Sequence, residues 1–211
     1  MLKRRSIAIA ADNRVLIVAA TGAGKTYLAR KLLIGRDRLV VVDPKHTFSW
    51  GMGKTYDRIL TLTQLQKWKG DGSVIYRPSD SELIAYCEGF WKWAWKNAPL
   101  RVYIDEITEM TPAVHPPRGL RRAIKMGREK KLAVWYASQR PSLIPIALIS
   151  EAEQVFCGLL RNPDDRIKMA KFTGFPELRE QVKQYDFWYC NSLKNEAFVM
   201  NADDIKRRKT E

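Results

Sequence analysis

The chain has 211 residues, 45% of them hydrophobic, and its 37 Lys and Arg against 23 Asp and Glu leave a formal charge of +14. That length allows one domain with a sizeable core, expected over 1–211 with basic tails at 1–6 and 205–211, and leaves little for a separate nuclease, receptor or winged-helix module. The longest apolar stretch, residues 15–20, is far short of the ~20 needed to span a bilayer, and the basic start at Lys3, Arg4 and Arg5 leads into no secretory apolar region.

In chain order, short apolar β-type runs alternate with longer helical segments. The pattern predicts an α/β fold with a mainly parallel central sheet and flanking helices. A strand over 14–20 leads to a helix over 24–33, and a strand over 38–43 is followed by a helix over 62–69. A strand over 73–76 precedes a helix over 81–96, and one over 101–105 precedes a helix over 119–131. Strands over 133–137 and 154–160 follow, then helices over 164–172 and 176–184. The chain ends in a β-hairpin, 187–190 with 197–200 around a polar turn. Several strands are continuous apolar runs, as expected of strands covered on both faces. Cys87, Cys157 and Cys190 are odd in number and show no CxxC pairing; they fit buried thiols in a reducing compartment better than a disulfide framework or zinc site.

The segment AATGAGKT at 19–26 sits between a strand and a helix, the context a phosphate-binding loop requires. Thr21, Gly22, Ala23, Gly24, Lys25, Thr26 and Tyr27 form the predicted nucleotide contact. The glycines let backbone N–H groups close around phosphate oxygens, Lys25 supplies a point charge to the β- and γ-phosphates, and the Thr26 hydroxyl is a Mg²⁺ ligand. The pattern departs at Ala19, where a Gly is usual; a methyl group fits there only if the backbone keeps φ < 0. A second GKT, Gly53, Lys54 and Thr55, follows no strand and reads as a turn.

The strand over 101–105 runs into Asp105 and Glu106, at a carboxyl end where α/β proteins place ligands. Asp105 is the predicted metal-shell residue and Glu106 the general base for an attacking water. One strand later, Ser138, Gln139 and Arg140 leave the sheet, and the Gln139 amide is placed to report γ-phosphate occupancy and orient water.

Together, TGAGKT at 21–26, VDPK at 42–45, YIDE at 103–106, Gly127-Arg128 and ASQRPS at 137–142 resemble the FtsK/HerA class of DNA-pumping P-loop ATPases, within the RecA-like P-loop NTPases. The resemblance covers roughly residues 12–175. Its nearest likeness is to the short genome-packaging ATPases of tailless, membrane-containing viruses, because the chain has no room for the extra domains of the cellular members. It implies an ATPase that works with ATP and Mg²⁺ as a ring-shaped homo-oligomer, commonly a hexamer, on double-stranded DNA of any sequence. Gln139 would be the sensor, Asp43 an acidic residue near the nucleotide, and Arg128 the arginine finger reaching a neighbour's site, with Arg122 and Arg140 as weaker alternatives. His46 stands where such chains often have Gly. Packaging further implies a capsid portal or membrane partner, and a place in the host cytoplasm and at the virion vertex.

Residues 118–131 hold seven basic side chains opposed only by Glu129. At ~100° per residue, Arg121, Lys125 and Arg128 share one helical face beside Arg122. Such a stripe contacts DNA phosphates or a neighbour's nucleotide, or is simply a solvated face. In the segment 81–96 a helical wheel places Trp93 away from the apolar side, which predicts a subunit or portal contact. His46 and His115 are too isolated for a zinc site. Competing functions are a cellular or plasmid DNA translocase, a P-loop nucleotide kinase, and a nucleic-acid binder that uses ATP only to assemble. The kinase is disfavoured by Glu106, which suits water as acceptor.

Overall fold

The structure is a computed structural model that describes residues 7, 9–10, 12–51, 57–83 and 87–205. Strands β1 (Val15–Val18), β2 (Leu39–Val42), β3 (Ile59–Leu60), β4 (Ser73–Tyr76), β5 (Leu100–Ile104), β6 (Leu132–Ser138), β7 (Gln154–Cys157), β8 (Asp186–Asn191) and β9 (Glu196–Asn201) join in one sheet. Their order is β3-β4-β2-β5-β6-β1-β7-β8-β9. All pairs from β3 to β7 are parallel, whereas β7–β8 and β8–β9 are antiparallel. The predicted fold class and closing hairpin are both present.

The central strands are β-branched runs such as VLIV and LVVV, buried at every position. Because side chains alternate across a strand, each run feeds two cores at once. Leu16, Val18, Val40, Val42, Val102 and Val134 face one layer; Val15, Ile17, Leu39, Val41, Tyr103 and Trp135 face the other. The first layer is closed by α2 (Leu62–Lys67), α3 (Glu88–Lys96), α4 (Arg118–Met126), α5 (Ile146–Glu151) and α6 (Pro163–Thr173). The second is closed by α1 (Lys25–Leu33) together with Phe48 and Trp50. Among the described residues no helix is long and apolar enough to cross a membrane.

Local chemistry sets the helix ends. Thr61 and Gln64 cap α2 reciprocally, and α6 opens with Asn162 then Pro163 and stops at Gly174 in the left-handed region. The predicted helix over 81–96 is shorter, because a Ser79–Glu82 capping box closes a 3₁₀ turn first and α3 begins only at Glu88. The predicted helix over 176–184 is a single 3₁₀ turn, Pro176–Arg179, ended by an extended Glu180, and the chain turns again at 184–185 before β8. Leu178 and Val182 are spaced like a helical stripe, yet both are buried without a helix between them. α5, a six-residue helix after Pro145, is not anticipated by the sequence pattern.

Trp93 is 7% exposed, with its ring centroid 6.3 Å from that of Trp68 and 6.0 Å from that of Phe90. The expected subunit or portal contact is therefore corrected: Trp93 is core. The helical wheel fails because it treats residues 81–96 as one helix and cannot show Trp68 at the end of α2 packing over the far side. Trp95 is the half-buried one, with the Arg122 guanidinium 4.0 Å over its ring. Gly53, Lys54, Thr55 and the basic tails lie outside the described residues, Ile205 excepted.

Candidate nucleotide-binding site

The carboxyl ends of β1, β5 and β6 lie side by side; the chain leaves β5 through Asp105 and Glu106, β6 through Gln139 and β1 through the glycine loop. After β1 it turns through Gly22 and Gly24, at φ 78° and 95°, the left-handed region in which a Cβ would be strained. Ala19 is not among the residues with positive φ, so its methyl group meets the condition set by its sequence. Gly24 caps α1 without any side-chain bond, and the first turn of α1 holds no acid. Its open N–H groups and positive dipole end are free for an anion.

Lys25 is buried against the acidic strand end. Its ammonium donates to the Asp105 carbonyl at 2.8 Å and lies 3.6 Å from Asp105 Oδ1. The Tyr103 hydroxyl also donates to Oδ1, at 2.7 Å. Burial, reinforced by the Asp105 charge, pushes the Tyr103 phenol well above its ordinary range, so it stays a donor. Glu106 is 2% exposed; Oε1 accepts from the Thr108 hydroxyl at 2.9 Å, and Oε2 from the Gln139 N–H at 3.3 Å and from Lys45 at 3.4 Å. The Gln139 side-chain Oε1 accepts from the Thr21 hydroxyl at 2.7 Å, tying the sensor candidate to the loop. The structure thus brings Thr21, Lys25, Asp105, Glu106 and Gln139 together.

A Mg²⁺ ion suits this donor set. Thr26 and Asp105 offer hard oxygen ligands, and among the described residues no group of three or more His, Cys, Asp or Glu could hold a metal alone. Mg²⁺ characteristically takes one or two protein oxygens and completes its shell with phosphates and water. Thr26 and Asp105 would hold it.

Two other predicted residues have partners of their own. Asp43 is fully buried; it accepts from the Thr47 and Phe48 N–H groups and pairs with Arg77 Nε at 2.9 Å, so it anchors the turn after β2. Arg128 stands at the opposite, amino edge of the sheet, in the 3₁₀ turn Gly127–Lys130 that feeds β6. It pairs with Glu153 and lies 3.7 Å from Asp12. Burial pushes the Glu153 carboxyl up, but the Arg14 N–H and guanidinium, with Arg128 behind them, more than reverse this and hold it below the usual carboxylate range. Leu120, Ala123 and Ile124 bury one side of α4 and leave Arg118, Arg121, Arg122 and Lys125 exposed on the other. Arg140, the other finger alternative, is exposed after β6.

Some of the site is invisible in the local sequence. Gln184 donates to the Gly22 carbonyl at 3.0 Å. Tyr185 lies so close to Gly24 that a Cβ there would meet its Cδ1 at 2.6 Å. Asp203 accepts from Tyr27 and Lys31 on α1. These contacts join positions some 160 or more apart, and only the position of β8 and β9 beyond β7 creates them.

A glycine loop between a buried strand and a helix, a lysine from that loop on the neighbouring acidic strand end, and this strand order define the P-loop NTPase fold. Solved structures agree with that fold. The chain is similar to the genome packaging NTPase B204 from Sulfolobus turreted icosahedral virus 2, in complex with ATP-gammaS, with a TM-score of 0.73 and 15% identity over 90% of this chain and 98% of that one. It is also similar to B204, the DNA-packaging ATPase from Sulfolobus Turreted Icosahedral Virus, with a TM-score of 0.70 and 16% identity over 89% and 96% of the two chains. VirB4 of Thermoanaerobacter pseudethanolicus follows, with a TM-score of 0.67 and 11% identity over 89% and 88%. No protein-family model matches the sequence, and no curated protein matches it.

Proposed function

We propose that this chain is a DNA-translocating ATPase that packages a viral genome into a preformed capsid. The observation that carries this is the meeting of Lys25 and the Asp105–Glu106 pair beneath an open glycine loop. Phosphate would sit on the N–H groups at the start of α1, with Lys25 turning from Asp105 toward the β- and γ-oxygens. Mg²⁺ would neutralise phosphate charge there. Glu106 takes a proton from the water that attacks the γ-phosphorus; as the bond to the bridging oxygen breaks, ADP leaves with that oxygen and phosphate is released.

Arg128 suits a finger acting in trans. It cannot serve its own loop from the far edge of the sheet, and an exposed guanidinium there can reach a neighbour in a ring-shaped homo-oligomer, a hexamer by resemblance. Such a finger contributes on the order of 10³ to 10⁵ in rate. The exposed cations of α4 suit sequence-independent contact with duplex phosphates. The likeness to the two B204 packaging enzymes favours viral packaging over a cellular or plasmid translocase, with the host cytoplasm and virion vertex as its places of work and a portal or membrane protein as its dock.

Steady-state ATP hydrolysis by wild type and Lys25→Ala, with and without long duplex DNA, tests this. Hydrolysis that rises with DNA and vanishes in the variant is expected. Turnover indifferent to DNA, or dependent on a phosphoryl acceptor, would overturn translocation.

A further inference from the structure

Lys45 enters the site with a charge that the hydrolysis scheme does not use. Its ammonium lies 3.4 Å from Glu106 Oε2 and 3.6 Å from Glu109 Oε1. The two acids bound the 3₁₀ turn Ile107–Glu109, in which residues three apart stand on one side, so a single cation reaches both. Their surroundings differ. Glu106 is buried and already receives the Thr108 hydroxyl and the Gln139 N–H, whereas the Glu109 side chain is 43% exposed. A carboxylate offers about four lone-pair positions. With Lys45 in place, three of those on Glu106 are taken by the protein itself.

We infer that Lys45 is a positioning residue that restrains Glu106: paired with Oε2 it withholds that oxygen from the attacking water, and moving onto Glu109 it releases it. This rests on Glu106 as general base. The side chain is suited to the exchange, being a point charge on a flexible four-carbon stem and 38% exposed. The turn that carries it is fixed, because the Asp43 carboxylate holds the N–H groups of Thr47 and Phe48 and the Arg77 guanidinium. Exchange between two acceptors therefore needs only side-chain rotation.

The test is DNA-free ATP hydrolysis by wild type, Lys45→Met, Lys45→Arg, Glu109→Gln and Glu106→Gln, with KM and the affinity for a fluorescent ATP analogue measured alongside. Lys45→Met is expected to raise kcat about three- to tenfold at unchanged KM, the scale of one ordinary hydrogen bond, as suits a contact as long as 3.4 Å. Glu109→Gln removes the charged alternative acceptor and is expected to lower kcat, and Lys45→Arg to stay near wild type. Opposite signs from the two sides of one ion pair would not arise from a packing role, which would lower both. Slower or unchanged turnover in Lys45→Met, with wild type active and Glu106→Gln inactive, overturns the restraint alone. Glu106→Gln as active as wild type overturns the general base and the restraint with it. Should Lys45→Met fail to fold, Glu109→Gln decides on its own: unchanged or faster turnover refutes the restraint.

Discussion

Gly158 leaves just enough space for Ala19: a Cβ at position 158 would stand 3.0 Å from the Ala19 methyl group and 2.7 Å from Cε1 of Phe187. The glycine missing from the phosphate loop is thus answered by a glycine on the adjoining segment, where the Ala20 N–H donates to the Leu159 carbonyl at 2.8 Å. Gly158→Ala is expected to destabilise the fold by about 1–3 kcal/mol, the usual range for overpacking. Adding Ala19→Gly should recover only part, because Phe187 stays in the way. Urea unfolding at constant m-value reads both.

Glu153 supplies a pH signature. A carboxyl held below its ordinary value contributes stability that is present above the unfolded pKa, about 4.3 for Glu, and is lost as pH falls through the lower folded value. Glu153→Gln should therefore lower the melting temperature at pH 7, where Arg14 and Arg128 lose their acceptor. The gap to wild type should close as pH drops below about 4. A gap that stays constant down to pH 2 would contradict the assignment.

Trp93→Ala is expected to cost about 3–5 kcal/mol, the range for emptying a large aromatic site. Trp95→Ala should cost less, because that ring is half-buried beneath Arg122. Thermal unfolding of the two variants at one concentration compares them directly.

Reversing Arg121 and Lys125 to Glu should leave the melting temperature nearly unchanged, since both are exposed. Duplex affinity should fall for every sequence, and the slope of log K against log salt should flatten by about 0.9 for each phosphate that the protein no longer neutralises. Fluorescence anisotropy across a salt series measures both.

Cys87, Cys157 and Cys190 are buried and form no disulfide. Burial pushes Cys87 up to about 11 and Cys190 up to about 12, so little thiolate is present at neutral pH. Iodoacetamide at pH 8 should leave all three unlabelled in the folded protein and label them in denaturant; mass spectrometry distinguishes the two.

The strand and loop leading into Lys25, the 73–76 strand and the acidic end of β5 are legible because each is a local pattern: a β-branched run, then glycines or acids. Asp105, Glu106 and Gln139 can be paired with Lys25 from sequence because parallel strands bring their carboxyl ends to one edge. Trp93 and the segment after Arg179 are misread because their surroundings are set by α2 and by the hairpin, elements distant in the chain. That the Asp43 carboxylate is spent on the turn after β2 and on Arg77 is not legible either, since nothing beside it announces Arg77. The Lys45 pairings depend on how two loops lean together, which no spacing encodes.

Gln184 and Tyr185, which lie against Gly22 and Gly24, have a consequence for biosynthesis. Every motif residue from Thr21 to Gln139 has left the ribosome well before these two, so the nascent chain carries a full set of phosphate-loop, acidic and sensor residues with one wall still missing. The loop acquires its final neighbours only when β8 and β9 dock onto β7. A chain stopped near residue 180 would keep the whole written signature of an ATPase and lack the side chains that close over its first turn.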